Sequence, residues 1–125
     1  MKAIAPTTAE LAILRVLWRK GPSTVRDVHQ AVYAGTETGY TSALKIMQNM
    51  LAKQLVTRTQ DARQHVYAAA VSERPTLNQL VSGWMDSAFA GSSLALAMQA
   101  LDARPVAPNE LAQFKTMIEK LEGES

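Results

Sequence analysis

Tyr40-Thr41-Ser42-Ala43-Leu44-Lys45-Ile46-Met47-Gln48-Asn49-Met50-Leu51-Ala52-Lys53-Gln54-Leu55-Val56 contains neither Gly nor Pro, and its apolar residues recur at helical spacing. At about 100° per residue the side chains separate into two sets. Ala43, Leu44, Ile46, Met47, Met50 and Leu51 fall on one side. Thr41, Ser42, Lys45, Gln48, Asn49 and Lys53 fall on the other. That polar side carries hydroxyls, amides and Lys but no carboxylate. A merely solvated face usually mixes both charge signs, because Glu and Lys four residues apart support a helix. A face that meets phosphate excludes carboxylates and keeps donors. Thr, Ser, Gln, Asn and Lys can also bond base edges in a major groove. The stretch is therefore expected to form a DNA recognition helix over residues 41–54. The plainer alternative is an amphipathic helix with a neutral solvent face.

Two shorter helices are expected upstream. Thr7-Thr8-Ala9-Glu10 fits a capping box, with Thr7 as cap. The helix then runs to about Lys20, burying Leu11, Leu14, Leu17 and Trp18 with Ile13 and Val16 beside them, and Gly21-Pro22 stops it. Ser23 or Thr24 caps the next helix, which extends to about Ala34 and buries Val25, Val28 and Val32. A loop of turn formers, Gly35 to Gly39, leads into the recognition helix, capped by Thr41. The second and third helices make a helix-turn-helix pair.

Downstream, residues 56–60 and 64–68 alternate weakly around Asp61-Ala62-Arg63, as in a hairpin. Such a hairpin is not stable alone. Val56, Val66 or Tyr67 must pack on the helices, leaving Arg58, Arg63 and His65 near the tip, where a phosphate backbone or minor groove can be met. The fold class expected is mainly α: a winged helix-turn-helix domain (residues 1–72) with a small β-hairpin wing, followed by a three-helix C-terminal dimerisation region (residues 73–125).

In that second region Leu77, Leu80, Val81, Trp84 and Ala88 keep helical spacing, with Met85 and Phe89 alongside. Ala90-Gly91-Ser92-Ser93 breaks the helix. Residues 93–101 are nearly all apolar, including Leu94, Met98 and Leu101, which calls for burial on all sides. After Arg104-Pro105-Val106-Ala107-Pro108, Asn109 is expected to cap a last helix with Leu111, Phe114, Ile118 and Leu121 on one stripe. A piece this short has too little of itself to cover such a core. A second copy of the chain is the economical cover, so Leu77, Leu80, Trp84, Leu94, Met98, Leu101, Phe114 and Ile118 are assigned to a homodimer interface. The alternative is packing of these helices on the N-terminal domain.

Charge follows the same division. Residues 1–72 hold nine Lys and Arg against four acids, a net +5; residues 73–125 hold four against seven, a net −3. A basic front and an acidic back point to nucleic-acid contact by the front. With 125 residues, 47% of them hydrophobic, the chain can bury a modest core. It has no cysteine, which removes disulfides and thiolate metal sites and fits a reducing compartment. The opening Met-Lys-Ala-Ile-Ala-Pro lacks the apolar core of a secretory signal, and no apolar run is long enough to span a bilayer. The expected localisation is cytoplasmic.

The run from Leu14-Arg15-Val16-Leu17-Trp18 through Gly21-Pro22-Ser23-Thr24-Val25-Arg26, followed by Tyr40-Thr41-Ser42, resembles the BlaI/MecI/CopY family of penicillinase repressors. Gly91-Ser92-Ser93-Leu94 is similar to that family's break between the first two C-terminal helices. The resemblance implies a dimeric winged-helix repressor that binds an inverted-repeat operator in double-stranded DNA. It places Thr41, Ser42 and Lys45 against bases and phosphates, and Arg58 and Arg63 on the wing. Two departures limit it. The copper-responsive branch needs C-terminal cysteines, which this chain lacks. The β-lactam-responsive branch is cut at an asparagine–phenylalanine bond, where Ala97-Met98 stands here. The resemblance therefore does not imply that cut, and an inducing protease of unspecified identity is the further partner it leaves open.

Little here suits an enzyme. The two histidines, His29 and His65, have no metal-ligand spacing, and no glycine-rich phosphate loop follows a strand. Ser92-Ser93 has no neighbouring base and reads as a helix cap. No cofactor and no metal are expected. Trp18, Trp84, Met47 and Met50 are read as packing residues. The competing class is a winged-helix protein–protein adaptor module without specific DNA binding.

Overall fold

Thr7 and Glu10 set the start of the first helix. In the computed structural model, which describes residues 5–124, the Thr7 amide donates to Glu10 Oε1 at 2.8 Å and the Glu10 amide donates to Thr7 Oγ1 at 3.2 Å. The box satisfies two amides that a helix cannot pair internally. Helix α1 then spans Thr8–Lys20 and ends at Gly21, whose φ of 82° favours a residue without Cβ. Residues 1–4, part of the opening run compared above with a secretory signal, lie outside the described residues, as does Ser125.

A second capping box, Thr24 with Asp27, opens α2 (Val25–Tyr33). Just before it, Ser23–Thr24 forms a two-residue strand β1, which periodicity could not reveal because two residues carry no period. The loop to the next helix is tied down at both ends. The Thr36 hydroxyl donates to the Tyr33 carbonyl at 2.6 Å, and His29 Nε2 donates to the Thr38 carbonyl at 2.8 Å. His29 is thus a half-buried latch between α2 and the loop.

The stretch that opens at Tyr40 forms α3 over Tyr40–Ala52. Thr41 is not its cap: Gly39 takes that position with extended backbone and no side-chain bond. The helix also ends earlier than residue 54. Gln54 turns to a φ of 65°, the Leu55 amide donates to the Met50 carbonyl at 2.9 Å, and the Gln54 amide donates to the Leu51 carbonyl at 3.1 Å. This Schellman closure brings buried Met50 and Leu55 to one end and turns the chain into the wing.

Strands β2 (Val56–Asp61) and β3 (Gln64–Ala69) pair antiparallel, and β1 joins the other edge of β3, giving the order β1-β3-β2. The wing is therefore sewn to the start of α2, with Ser23 opposite Tyr67 and Tyr67 opposite Arg58. Ile13, Leu14, Leu17, Val25, Val28, Ala43, Met47, Met50, Leu55, Val56 and Tyr67 form one core. Val66, on the opposite side of β3 from Tyr67, is only half-buried. Trp18 is half-buried against the core, and its indole donates to the Val71 carbonyl at 2.9 Å, fastening the chain after the wing to α1.

Three helices follow: α4 (Glu73–Ala88), α5 (Ser93–Ala103) and α6 (Pro108–Gly123). Ser92 caps α5, its Oγ accepting from the Ala95 amide at 3.0 Å. Asn109 does not cap α6; Ala107 does, with Pro108 at the first helical position, where its missing N–H costs nothing. The chain divides into two compact units within α4, between Val81 and Ser82. In the second unit α5 and α6 bury no residue. Burial of α5 on all sides, expected from its composition, is not met within one chain: Leu94 is 68% and Met98 61% exposed. Trp84 is 53% exposed, so it is no core residue of the single chain either.

Candidate nucleic-acid interface

Helix α3 turns Ala43, Met47 and Met50 fully into the core, which forces the opposite face outward. Thr41, Ser42, Lys45, Gln48 and Asn49 are all exposed on that face. They lie three and four residues on either side of Lys45, so they form one contiguous patch around it. No carboxylate occurs anywhere in α3.

Lys53 does not belong to that patch, although spacing put it on the same side. Its Nζ reaches Glu10 at 2.8 Å from Oε2 and 3.0 Å from Oε1, and its side chain is 30% exposed against 5% for Glu10. The capping-box carboxylate thus ties the start of α1 to the end of α3. Burial alone would raise the Glu10 pKa, but bonds from Lys53 and from Thr7 outweigh it and hold it below its usual value of 4.5. A depressed carboxylate stabilises the fold above its unfolded pKa, and that contribution is lost as pH falls through the folded value. Glu10→Gln is therefore expected to lower stability by about 2 kcal/mol at neutral pH, since it leaves Lys53 without its partner. The deficit should shrink as pH falls below the usual carboxylate value of 4.5, as measured by urea unfolding at neutral and at acidic pH.

On the wing, Arg58 and His65 are exposed on neighbouring strands, and Arg63 is exposed in the two-residue turn between them. Ala62 takes a φ of 55° to make that turn. Between the wing and α3 lies an open cleft of about 400 Å³. It is lined by Arg58, Arg63 and His65 from the wing, by Tyr40, Leu44 and Gln48 from α3, and by Arg26 from α2. Sequence reasoning assigned Arg58, Arg63 and Gln48 but passed over Arg26 and Tyr40. The local signal at Arg26, a cation in the first turn of α2, does not say what it meets, because only the tertiary fold carries that turn to the wing. Thr41, Ser42, Lys45 and Asn49 are outside the cleft's lining and flank it on the open face of α3. Among the described residues no cluster of His, Cys, Asp and Glu could hold a metal ion. The surface offers hydrogen-bond donors and guanidinium groups.

The penicillinase repressor family matches residues 6–120, from the first capping box through most of α6. The chain belongs to that family. Its members are transcriptional repressors, not enzymes. Among curated relatives, the transcriptional regulator BlaI of Mycobacterium tuberculosis, in strains CDC 1551 and H37Rv, is 37% identical over 82 residues. That alignment covers 65% of this chain and 56% of the relative, so the match spans little more than half the length of those family members. Among solved structures, a mutant form of Lactococcus lactis ZitR aligns with a TM-score of 0.44 at 10% identity, over 98% of this chain and 80% of that one. The Giardia lamblia Hop2-Mnd1 complex aligns with a TM-score of 0.38 at 16% identity, over 90% and 75%. Likeness at that level says nothing about function. The mainly helical architecture with its hairpin wing and three C-terminal helices stands on the chain's own geometry. No helix among the described residues is long and apolar enough to cross a membrane.

Proposed function

We propose that the protein is a homodimeric, sequence-specific DNA-binding repressor acting in the cytoplasm, which presents two copies of α3 to an inverted-repeat operator. The observation that carries this reading is the exposed, carboxylate-free patch of Thr41, Ser42, Lys45, Gln48 and Asn49, held out by a helix that buries Ala43, Met47 and Met50 on its other side. Lys45 and the short polar side chains read base edges and adjacent phosphates. Arg58 and Arg63 hold the backbone from the wing. Residues 1–72 do this work, and residues 73–125 pair two chains through Leu77, Leu80, Trp84, Leu94, Met98, Leu101, Phe114 and Ile118. Membership of a repressor family and the nine basic residues of the N-terminal part support the same assignment. An inducing protease is the partner proposed to relieve repression.

Selection of bound fragments from the source genome tests the reading, followed by affinity measurements across a salt series. A protein that neutralises several phosphates is expected to lose about a thousandfold or more in affinity between about 50 and 200 mM salt. An affinity that barely responds to salt, or recovery of no fragment, would leave the patch as the docking face of an adaptor module.

A further inference from the structure

The cleft between the wing and α3 is lined by three arginines from three elements. Arg26 comes from the first turn of α2, Arg58 from β2, and Arg63 from the turn of the hairpin. No Asp or Glu lines it, and none of the three forms an ion pair among the described residues. Arg26 is in addition badly placed for the free protein, because a cation near a helix N-terminus opposes the helix dipole. Three unpaired guanidiniums around one opening repel one another unless an anion lies between them. Guanidinium forks match phosphate oxygens in shape as well as charge. Gln48 and Tyr40 of α3 form the opposite wall, so a group seated here lies directly beside the proposed base-reading patch.

We infer that this cleft seats a phosphodiester of the duplex backbone, with Arg26 as its third clamp, where the strand passes between α3 and the wing. The inference rests on the repressor reading and adds to it a residue that neither the recognition helix nor the wing contains. Seating of the backbone here sets how far α3 enters the groove, so Arg26 acts on register and on affinity for all sequences alike.

The test uses the full chain and the duplex recovered by genomic selection. Arg26→Ala is expected to fold at least as stably as the unaltered protein, to bind about tenfold more weakly at about 150 mM salt, and to reduce the salt slope by about one. Arg19→Ala removes a charge from an exposed arginine of α1 outside the cleft and is the control. In duplexes carrying one neutral methylphosphonate linkage at a time, the unaltered protein should lose affinity at a particular linkage in each half-site, and Arg26→Ala should be indifferent to that same linkage. Unchanged affinity and slope in Arg26→Ala would overturn the inference while leaving the repressor reading intact. An equal loss in Arg19→Ala would also overturn it, because net charge would then explain the effect. Submillimolar binding of pyrophosphate that is lost in Arg26→Ala, with no linkage in the duplex to which Arg26→Ala becomes indifferent, would reassign the cleft to a free anion. Failure of the unaltered protein to bind any duplex would remove the repressor reading and this inference with it.

Discussion

Lys45→Glu is expected to abolish operator binding while leaving the fold and the dimer as they are. Lys45 sits at the centre of the exposed patch of α3, one turn from Thr41 and Ser42 on one side and from Gln48 and Asn49 on the other. Glu there would set a carboxylate against phosphate oxygens and base acceptors, so the substitution removes one attraction and adds one repulsion. Loss of a single contact of this kind costs about 1–3 kcal/mol. With the repulsion added, a fall of at least about a hundredfold is expected. Lys45→Ala, which removes the contact without the repulsion, should fall about tenfold. Neither change should disturb the helix, because Lys, Glu and Ala are all good helix formers and the side chain is exposed. Circular dichroism and sedimentation would establish that the variants are intact, and a titration of labelled duplex would read the affinity. Undiminished binding by Lys45→Glu would mean that another surface meets the DNA.

Trp84→Ala is expected to separate the dimer. Among the described residues nine of the ten large hydrophobic side chains left exposed lie at or after Leu77, and α5 and α6 bury none of theirs. Exposed apolar surface of that extent is rare on a monomer and marks an interaction face. Tryptophan, with tyrosine and arginine, is enriched among the residues that anchor an interface. Truncation of a buried Trp costs about 3–5 kcal/mol, and each dimer carries the change twice, so the dimer dissociation constant should rise by at least about a hundredfold. Sedimentation at micromolar concentration would then find single chains where the unaltered protein pairs. Operator affinity should fall in parallel, although α3 is untouched, because two linked half-site readers bind far more tightly than one. An unaltered protein that sediments as a single chain would end the dimer proposal, and an undisturbed dimer in Trp84→Ala would place the interface elsewhere.

The two predictions differ in how directly residue order leads to them. The patch on α3 was legible from spacing alone, because the core-facing residues recur at the helical period and a buried face fixes its opposite. Lys53 shows where that reasoning stops. Periodicity gives an angle around the helix axis, but it does not say which neighbour a long side chain can reach. Glu10, forty-three residues away, takes Lys53 out of the exposed patch. The helix starts were half legible. Thr7, Thr24 and Ser92 cap as their side chains allow, whereas Gly39 and Ala107 hold cap positions that Thr41 and Asn109 were expected to fill. At those two starts extended backbone precedes the helix, and no side-chain bond is made that composition could advertise.

Order along the chain was enough to establish the helix-turn-helix pair, the hairpin after it and the apolar second half, because each depends on neighbours within a few residues. Three features came only from the fold. They are the two-residue strand that sews the wing to α2, the salt bridge between the start of α1 and the end of α3, and the meeting of Arg26, Arg58 and Arg63 around one cleft. Each joins residues distant in sequence, and such pairings are set by how buried faces pack in three dimensions, a quantity with no local period to read.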